Sequence, residues 1–167
     1  MGLLAVLAAA LPAHAGLLYV ETQDLRVIYY DPGETHLVPH ATQSFLAGLE
    51  AEKRMFGYVP DGRVNILLQD FSDRANAIAN TVPRNRIFID IAPWNEPYET
   101  VSPSDWFTWT ALHEPTHLAM TDRANPTDMR YRRFFHGKVD IDSAHPETLL
   151  YNYLTVPRET APRWYHE

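Results

Sequence analysis

The sequence predicts an α+β protein in which a small sheet packs against one central helix. Short segments rich in β-branched and aromatic residues, bounded by turn residues, alternate with longer segments of helical periodicity. These segments follow one another in the order strand, helix, strand, strand, helix, helix, which fits a small sheet covered by helices. The 167 residues, 46% of them hydrophobic, are enough for one domain with a buried core.

Three strands are predicted, at residues 25–30, 64–69 and 86–92. The first (LRVIYY) ends at the turn sequence Asp31-Pro32-Gly33, and the second (VNILLQ) lies between polar turn residues, as a buried strand does. The third (RIFIDIA) alternates between apolar and polar side chains and stops at Pro93, so we expect one of its faces to be buried.

Two helices are predicted on either side of the central one. The first spans residues 39–56, with Pro39 at its first position and Gly57 after its end. Its apolar stripe comprises Phe45, Leu46, Leu49 and Met55. The other is a short helix at residues 147–154, which follows an irregular, charged connection over residues 122–146.

The first fifteen residues, MGLLAVLAAALPAHA, have the pattern of a signal peptide. An apolar run ends at Pro12, and the small residues Ala13 and Ala15 follow, as at a cleavage site. No Lys or Arg precedes the run, and the alternative is a buried N-terminal strand or helix. We expect residues 1–15 to be a signal peptide and residues 16–167 to form one exported domain.

Charge, hydropathy and the lack of cysteine exclude several classes of function. The net charge of -7 and the pI of about 5.6 give no electrostatic reason to expect a nucleic-acid partner. No apolar run reaches the roughly 20 residues of a membrane span, so we expect no integral membrane segment and disfavour a membrane-inserted protease. Because the chain has no cysteine, any metal must be held by nitrogen and oxygen ligands.

The central helix carries the motif His-Glu-x-x-His, formed by His113, Glu114 and His117. Ser102 would cap this helix, which is expected to run to about Met120. Residues four apart lie on the same face of a helix, so both imidazoles can reach one zinc ion. Glu114 points about 100° away, where it can take a proton from a water on the metal and pass it to a leaving amine.

Pro115 lies between the two histidines and weakens the helix that must hold them. It removes one backbone hydrogen bond and crowds the carbonyl of Ala111, at a cost of roughly 3 kcal/mol. The helical pattern continues on both sides, so we expect a modest kink. Closing a zinc coordination shell contributes on the order of 10 kcal/mol, so Pro115 does not exclude a metal site.

Spacing alone leaves the third zinc ligand open. A catalytic zinc site needs three protein ligands and one open position. The metzincin spacing would require a glycine and a histidine where the chain has Met120 and Arg123, and the thermolysin spacing would require a glutamate near Gly137. The candidates downstream of the motif are Glu147, Glu159, Glu167, Asp122, Asp128, Asp140, Asp142, His136, His145 and His166.

Four segments make the chain resemble the gluzincin-type, peptidase MA-like domains of exported bacterial proteins. They are VNILLQDFSD, VPRNRIFIDIAP, ALHEPTHLAM and PRWYHE, and the resemblance covers about residues 60–167. In that family a helix with the pattern Trp-x-x-Glu-Gly supplies the third zinc ligand, and Trp164-Tyr165-His166-Glu167 matches its first four positions. The resemblance therefore implies Glu167 as the third ligand beside His113 and His117, in a domain truncated at its C-terminus.

The resemblance also implies the fold, the activity and the partners. The fold would be zincin-like, with a small mixed sheet against the motif helix, further helices towards the C-terminus, and a TolB-like β-propeller following in the full-length chain. The activity would be zinc-dependent hydrolysis of peptide or protein substrates in the periplasm, outside the cell or at the outer membrane. Residues 86–92 would be the edge strand that holds extended peptide, or else an ordinary member of the sheet. Family members usually carry a larger aliphatic residue in place of Pro115, and the alternative function is a non-catalytic scaffold or binding domain.

Three further groups of residues are candidates for other roles. The candidates for stabilising an oxyanion are Tyr151, Tyr153, His145 and His136, with nothing to rank them. The sequence from Asp140 to Glu147 could hold a second cation, although a solvated loop is the simpler interpretation. Arg130, Arg132 and Arg133 could bind an anion, although a solvated face explains them more simply.

Overall fold

The computed structural model describes residues 16–92 and 106–161. In chain order the elements are β1 (Gly16–Glu21), β2 (Leu25–Asp31), α1 (Val38–Phe56), β3 (Val64–Gln69), β4 (Asn76–Asn80), β5 (Arg86–Asp90), α2 (Trp106–Thr121), α3 (Pro126–Phe134) and α4 (Thr148–Thr155). The α+β class is confirmed, and the predicted elements correspond to β2, α1, β3, β5, α2 and α4. The predicted signal peptide and the Ser102 cap lie outside the described residues.

The prediction missed β1, β4 and α3. The connection over residues 122–146 was expected to be irregular, but it contains α3 because Asn125 caps a helix there. Asn125 accepts backbone hydrogen bonds from Thr127 and Asp128, and the carboxylate of Asp128 accepts one from the Asn125 N–H in return. This capping box was visible in the sequence as Asn-Pro-Thr-Asp.

The five strands form one mixed sheet in the order β1-β2-β3-β5-β4. β2, β3 and β5 are parallel, and the two outer strands pair antiparallel with their neighbours. Of the two interpretations of residues 86–92, the structure supports the ordinary member of the sheet and not the edge strand, because β4 pairs with the outer side of β5, from Asn76 opposite Asp90 to Asn80 opposite Arg86. Among the described strands, β4 therefore provides the sheet edge on this side.

The core lies between one face of the sheet and the helices α1 and α2. Alternate side chains of the three parallel strands are fully buried, including Leu25, Ile66 and Ile87, and they belong to the same cluster as Phe45 and Leu118 of the helices. Phe45 and Leu49 follow the predicted apolar stripe of α1, whereas Met55 is 62% exposed, since it lies in the last turn beyond the sheet contact. None of the described helices combines the length and the hydropathy needed to cross a bilayer.

The two core helices approach closely where Gly48 of α1 faces Ala111 of α2. A Cβ atom at Gly48 would lie only 1.9 Å from the carbonyl oxygen of Ala111, so no side chain fits there. The same carbonyl has no N–H to pair with four residues later, because that residue is Pro115. The Cα of Gly48 covers this oxygen, and such Cα–H···O contacts are weakly favourable. α2 continues through Pro115 to Thr121, as the sequence predicted.

Candidate metal centre and active-site cleft

The motif histidines converge on one point beside α2. The Nε2 atoms of His113 and His117 are 3.1 Å apart, and the ring planes meet at 79°. Two imidazole nitrogens on one tetrahedral zinc ion at about 2.0–2.1 Å would be about 3.3 Å apart, so the pair fits such an ion closely. Without an ion, the same distance suits a hydrogen bond from a protonated ring nitrogen to the other ring.

Aromatic stacking helps to fix the orientation of His113. The indole of Trp109, one turn earlier on α2, lies parallel to the imidazole at 11° with ring centroids 4.8 Å apart. His113 is exposed and His117 is half-buried, so both rings reach the surface of the helix. The helical spacing of residues 109, 113 and 117 therefore builds a ladder of rings along one face.

Glu114 lies on a different face of the helix and is only 4% exposed. Its carboxylate accepts a backbone hydrogen bond from Ala79 of β4, so the motif helix is joined to the edge strand at this residue. Burial raises the pKa of Glu114 to about 7, and the hydrogen bond from Ala79 opposes part of that rise. A carboxyl group with this pKa can take up and release a proton near neutral pH.

The three motif residues open into a cleft of about 360 Å³ between α2 and β4. The cleft is lined by Ala77, Ile78, Ala79, Asn80, Thr81, His113, Glu114, His117, Thr121 and Glu159. Among the residues that the structure describes, His113, Glu114 and His117 are the group whose ligand atoms lie close enough together, within 4.8 Å, to hold a metal. The titratable side chains among the described lining residues are two glutamates and two histidines.

Glu159 is the downstream glutamate that the described structure brings to this cleft. The fully buried Asn152 of α4 donates from Nδ2 to the Oε2 atom of Glu159 at 2.7 Å and so fixes its carboxylate. Glu147 instead pairs with His145 at 3.5 Å on an exposed loop, and Glu167 lies outside the described residues. Glu159 was one of the candidates for the third ligand, but its spacing from the motif did not distinguish it from the others.

A buried carboxyl group of α1 forms a hydrogen bond with the motif helix. Glu52 of α1 is fully buried, and the Thr116 hydroxyl donates to its Oε1 atom at 2.9 Å. The other oxygen, Oε2, is buried without a hydrogen-bond partner, and burial raises the pKa of Glu52. The same hydroxyl lies 2.9 Å from the Leu112 carbonyl, so the two acceptors share its one proton, and Thr116 connects α1 to the turn that carries both histidines.

The C-terminal end of α2 is anchored by Asp122, which is 2% exposed. Its carboxylate accepts hydrogen bonds from Tyr58 at 2.8 Å, Asn85 at 2.6 Å and Lys138 at 2.7 Å. Arg132 adds an ion pair at 3.0 Å. The buried Asp122 therefore joins residues from four separate parts of the chain to the motif helix.

The structure corrects the expectation for Arg132. This residue is 5% exposed rather than solvated, because it pairs with Asp61 at 2.9 Å, with Asp122, and with the Thr155 carbonyl at 2.8 Å. Its neighbours Arg130 and Arg133 are exposed, as expected.

The remaining sequence candidates among residues 16–92 and 106–161 lie away from the described part of the cleft, and His166 lies outside the described residues. Asp142 accepts a hydrogen bond from the Ala144 N–H at 2.9 Å and forms an isolated bridge with His145, which is the arrangement of an exposed turn. The four residues proposed to stabilise an oxyanion, Tyr151, Tyr153, His145 and His136, are not among the described lining residues. Asn80, Thr81 and Thr121 line the cleft and were missed, because tertiary packing alone brings them there.

No protein-family model, curated protein or solved structure matches the chain.

Proposed function

We propose that this protein is an exported, zinc-dependent metallopeptidase of the gluzincin type with a zincin-like fold. The observation that carries the proposal is the convergence of the His113 and His117 Nε2 atoms, 3.1 Å apart, beside the buried Glu114. Their position in a cleft along a sheet edge supports it. The expected export and a β-propeller after residue 167 belong to the same proposal, through the resemblance of the sequence.

His113 and His117 would supply two ligands to the zinc ion, and an acidic side chain would supply the third. The resemblance assigns that role to Glu167. Glu159 also lines the cleft and is the other candidate, but it would have to move closer, because it is not in the described group whose ligand atoms lie close enough together to share an ion. When bound, zinc would polarise the substrate carbonyl and lower the pKa of a water molecule.

Glu114 would move the proton during hydrolysis. Its carboxylate takes a proton from the attacking water and then transfers it to the leaving amine, a role that requires a pKa near the working pH. Burial against β4 supplies such a pKa, about 7 before any cation acts on the group. A bound cation would lower the pKa of Glu114, which favours the deprotonated form that acts as a base.

β4 would hold the substrate as an extended chain. The outer edge of β4 has no paired strand among the described elements, and its residues line the cleft next to Glu114. A peptide that adds to such an edge is bound through its backbone, with little demand on its sequence. The proposed substrate is therefore a peptide or an unfolded segment of protein.

The central test is Glu114→Gln in the chain extended beyond residue 167. We expect the rate of peptide hydrolysis to fall about 10²–10⁴-fold, while stoichiometric zinc remains bound, because the change removes a proton carrier and no ligand. Zinc is measured by elemental analysis and hydrolysis with a fluorogenic peptide. A wild-type chain that binds no zinc would refute the metal site, whereas one that binds zinc without hydrolysis would favour the scaffold or binding domain.

A second test separates the two candidates for the third ligand. We expect Glu167→Gln to weaken zinc binding by at least about tenfold and Glu159→Gln to leave it near the wild-type value, since loss of a direct ligand opens the coordination shell. Competition with a chromogenic chelator measures both affinities. The reverse order would transfer the third ligand to Glu159.

A further inference from the structure

A second cleft, of about 570 Å³, lies at the end of the sheet where the parallel strands β2, β3 and β5 begin. It is lined by five basic side chains, Arg26, Arg63, Arg84, His136 and Lys138, with Asp61 as the acidic residue among them. A chain of net charge -7 thus gathers basic groups in one concave surface.

The acidic groups nearby do not neutralise this surface. Asp61 and Asp122 are engaged by Arg132 and Lys138, at 2.7–3.7 Å. Glu21 is shared by Arg26 at 2.5 Å and Arg63 at 3.5 Å. Arg84 adds a further positive charge. Counting Arg132, which lies outside the cleft lining, five lysines and arginines share the three carboxylates of Glu21, Asp61 and Asp122, which leaves two positive charges without a counterpart.

Two of the basic side chains have their polar atoms available for a ligand. The exposed guanidinium of Arg84 and the imidazole of His136 line the cleft, and neither has a hydrogen-bond or ion-pair partner among residues 16–92 and 106–161. The backbone of His136 is left-handed, with φ of 59°, a conformation that is uncommon outside glycine. A hydrogen bond of 2.7 Å from the Gly137 N–H to the Arg132 carbonyl holds this turn against the cleft.

Two further basic side chains of the cleft are held in place by hydrogen bonds. Lys138 is 8% exposed, and its ammonium donates to Asn85 at 2.6 Å and to Asp122 at 2.7 Å. Arg63 is held by a hydrogen bond of 2.9 Å to the Thr22 carbonyl. The charges of Lys138 and Arg63 are therefore positioned before any ligand arrives, which lowers the entropic cost of binding.

We propose that this cleft binds an oxyanion, a phosphate or carboxylate group, with Arg84 and His136 as its direct contacts. A guanidinium can donate two parallel hydrogen bonds to such a group, and charge-assisted bonds of this kind are among the strongest in proteins. The anion is either free phosphate or a carboxylate carried by a peptide. A peptide can carry the carboxylate because the two clefts share one segment of the chain. Asn80 and Thr81 line the cleft with the motif histidines, and Arg84 and Asn85 line this one.

The proposal is tested by titrating the 167-residue chain with inorganic phosphate at low ionic strength in a calorimeter. Arg84→Gln should weaken binding about tenfold, the effect of losing one charge-assisted contact. Arg74→Gln is the matched control, because Arg74 is an exposed arginine outside the cleft and the change in net charge is the same. Equal weakening by the two variants, or no saturable binding to the wild type, would overturn the proposal.

A tetraglutamate peptide distinguishes the two sources of the anion. If the peptide binds, is displaced by phosphate and depends on Arg84, the cleft accepts carboxylates that a peptide carries. If phosphate alone binds with the same dependence, the ligand is the free ion. If neither binds, there is no oxyanion site. Because the titration needs no zinc and no hydrolysis, its result is independent of the proposed peptidase activity.

Discussion

The buried side chain of Glu52 forms a hydrogen bond to the motif helix and also lowers the stability of the fold. Its carboxyl group holds Thr116, yet one of its oxygens is buried without a hydrogen-bond partner. A buried carboxylate with an unsatisfied oxygen is costly, and the raised pKa reflects the preference for the neutral form. At pH values above 4.5, where Glu52 ionises in the unfolded chain, its burial therefore lowers the stability of the folded protein.

The sign of this effect gives a prediction about pH. Since the folded pKa of Glu52 lies above the unfolded value of 4.5, the folded protein binds more protons, and stability falls as pH rises from about 4.5 through the folded pKa. Glu52→Gln should remove this loss and be more stable than the wild type by about 1 kcal/mol at pH 8, with a smaller difference at pH 5. Urea unfolding at several pH values measures it.

Glu50→Gln is the control for that measurement. Glu50 lies on the same helix with its side chain 52% exposed, so its neutralisation should change stability little at any pH. A difference between Glu52→Gln and the wild type that does not grow with pH would contradict the assignment.

The close contact between α1 and α2 sets the distance between the two helices that pack on the sheet. Glycine at position 48 brings α1 against the backbone of α2 at Ala111, two residues before the first motif histidine. Small residues at helix crossings allow such an approach, whereas a Cβ here would meet backbone, which cannot move as a flexible side chain does.

Gly48→Ala should therefore destabilise the protein by about 3 kcal/mol, although alanine favours helix by about 1 kcal/mol. Thermal unfolding measures the change. Gly62→Ala is the control, because nothing lies within 4 Å of the Cβ it would add, and its effect should stay within about 0.5 kcal/mol. Equal stability of the two variants would show that the helices are not in this contact.

Local patterns in the sequence predicted the elements with strong periodicity but not those defined by pairing. VNILLQ and the motif helix carry their own signals, so β3 and α2 were found. β4 has the sequence NAIAN, in which small and polar residues give no strand signal, and it becomes a strand by pairing with β5. The sequence therefore could not decide whether residues 86–92 form the edge of the sheet.

Across the whole molecule, the Asp122 network joins parts of the chain that are far apart in sequence. Tyr58, Asn85, Arg132 and Lys138 meet at this one carboxylate, and the Arg132 side chain extends the network to Asp61 and Thr155. The i, i+4 spacing of the histidines was predictable because one helix fixes it. This network and the position of Glu159 depend on separations of up to 71 residues, which local patterns do not reveal.

Removal of the central carboxylate should affect the entire fold. Asp122→Ala leaves Lys138 and Arg132 buried with less compensation, and we expect a loss of about 3–5 kcal/mol in the free energy of unfolding. Asp73→Ala, at an exposed loop position, should cost less than about 0.5 kcal/mol. Guanidinium unfolding measures both, and similar values for the two variants would show that the network contributes little.

The contact between Gly48 and the Ala111 carbonyl also has an evolutionary consequence. Pro115 leaves that oxygen without its helical donor, and Gly48 lets another helix cover it. A descendant that replaced Pro115 with a residue bearing an N–H would satisfy the oxygen within α2, but the close approach of the two backbones would still exclude a side chain at position 48. Related sequences that keep this helix crossing should therefore retain glycine at this position of α1, with or without proline between the motif histidines.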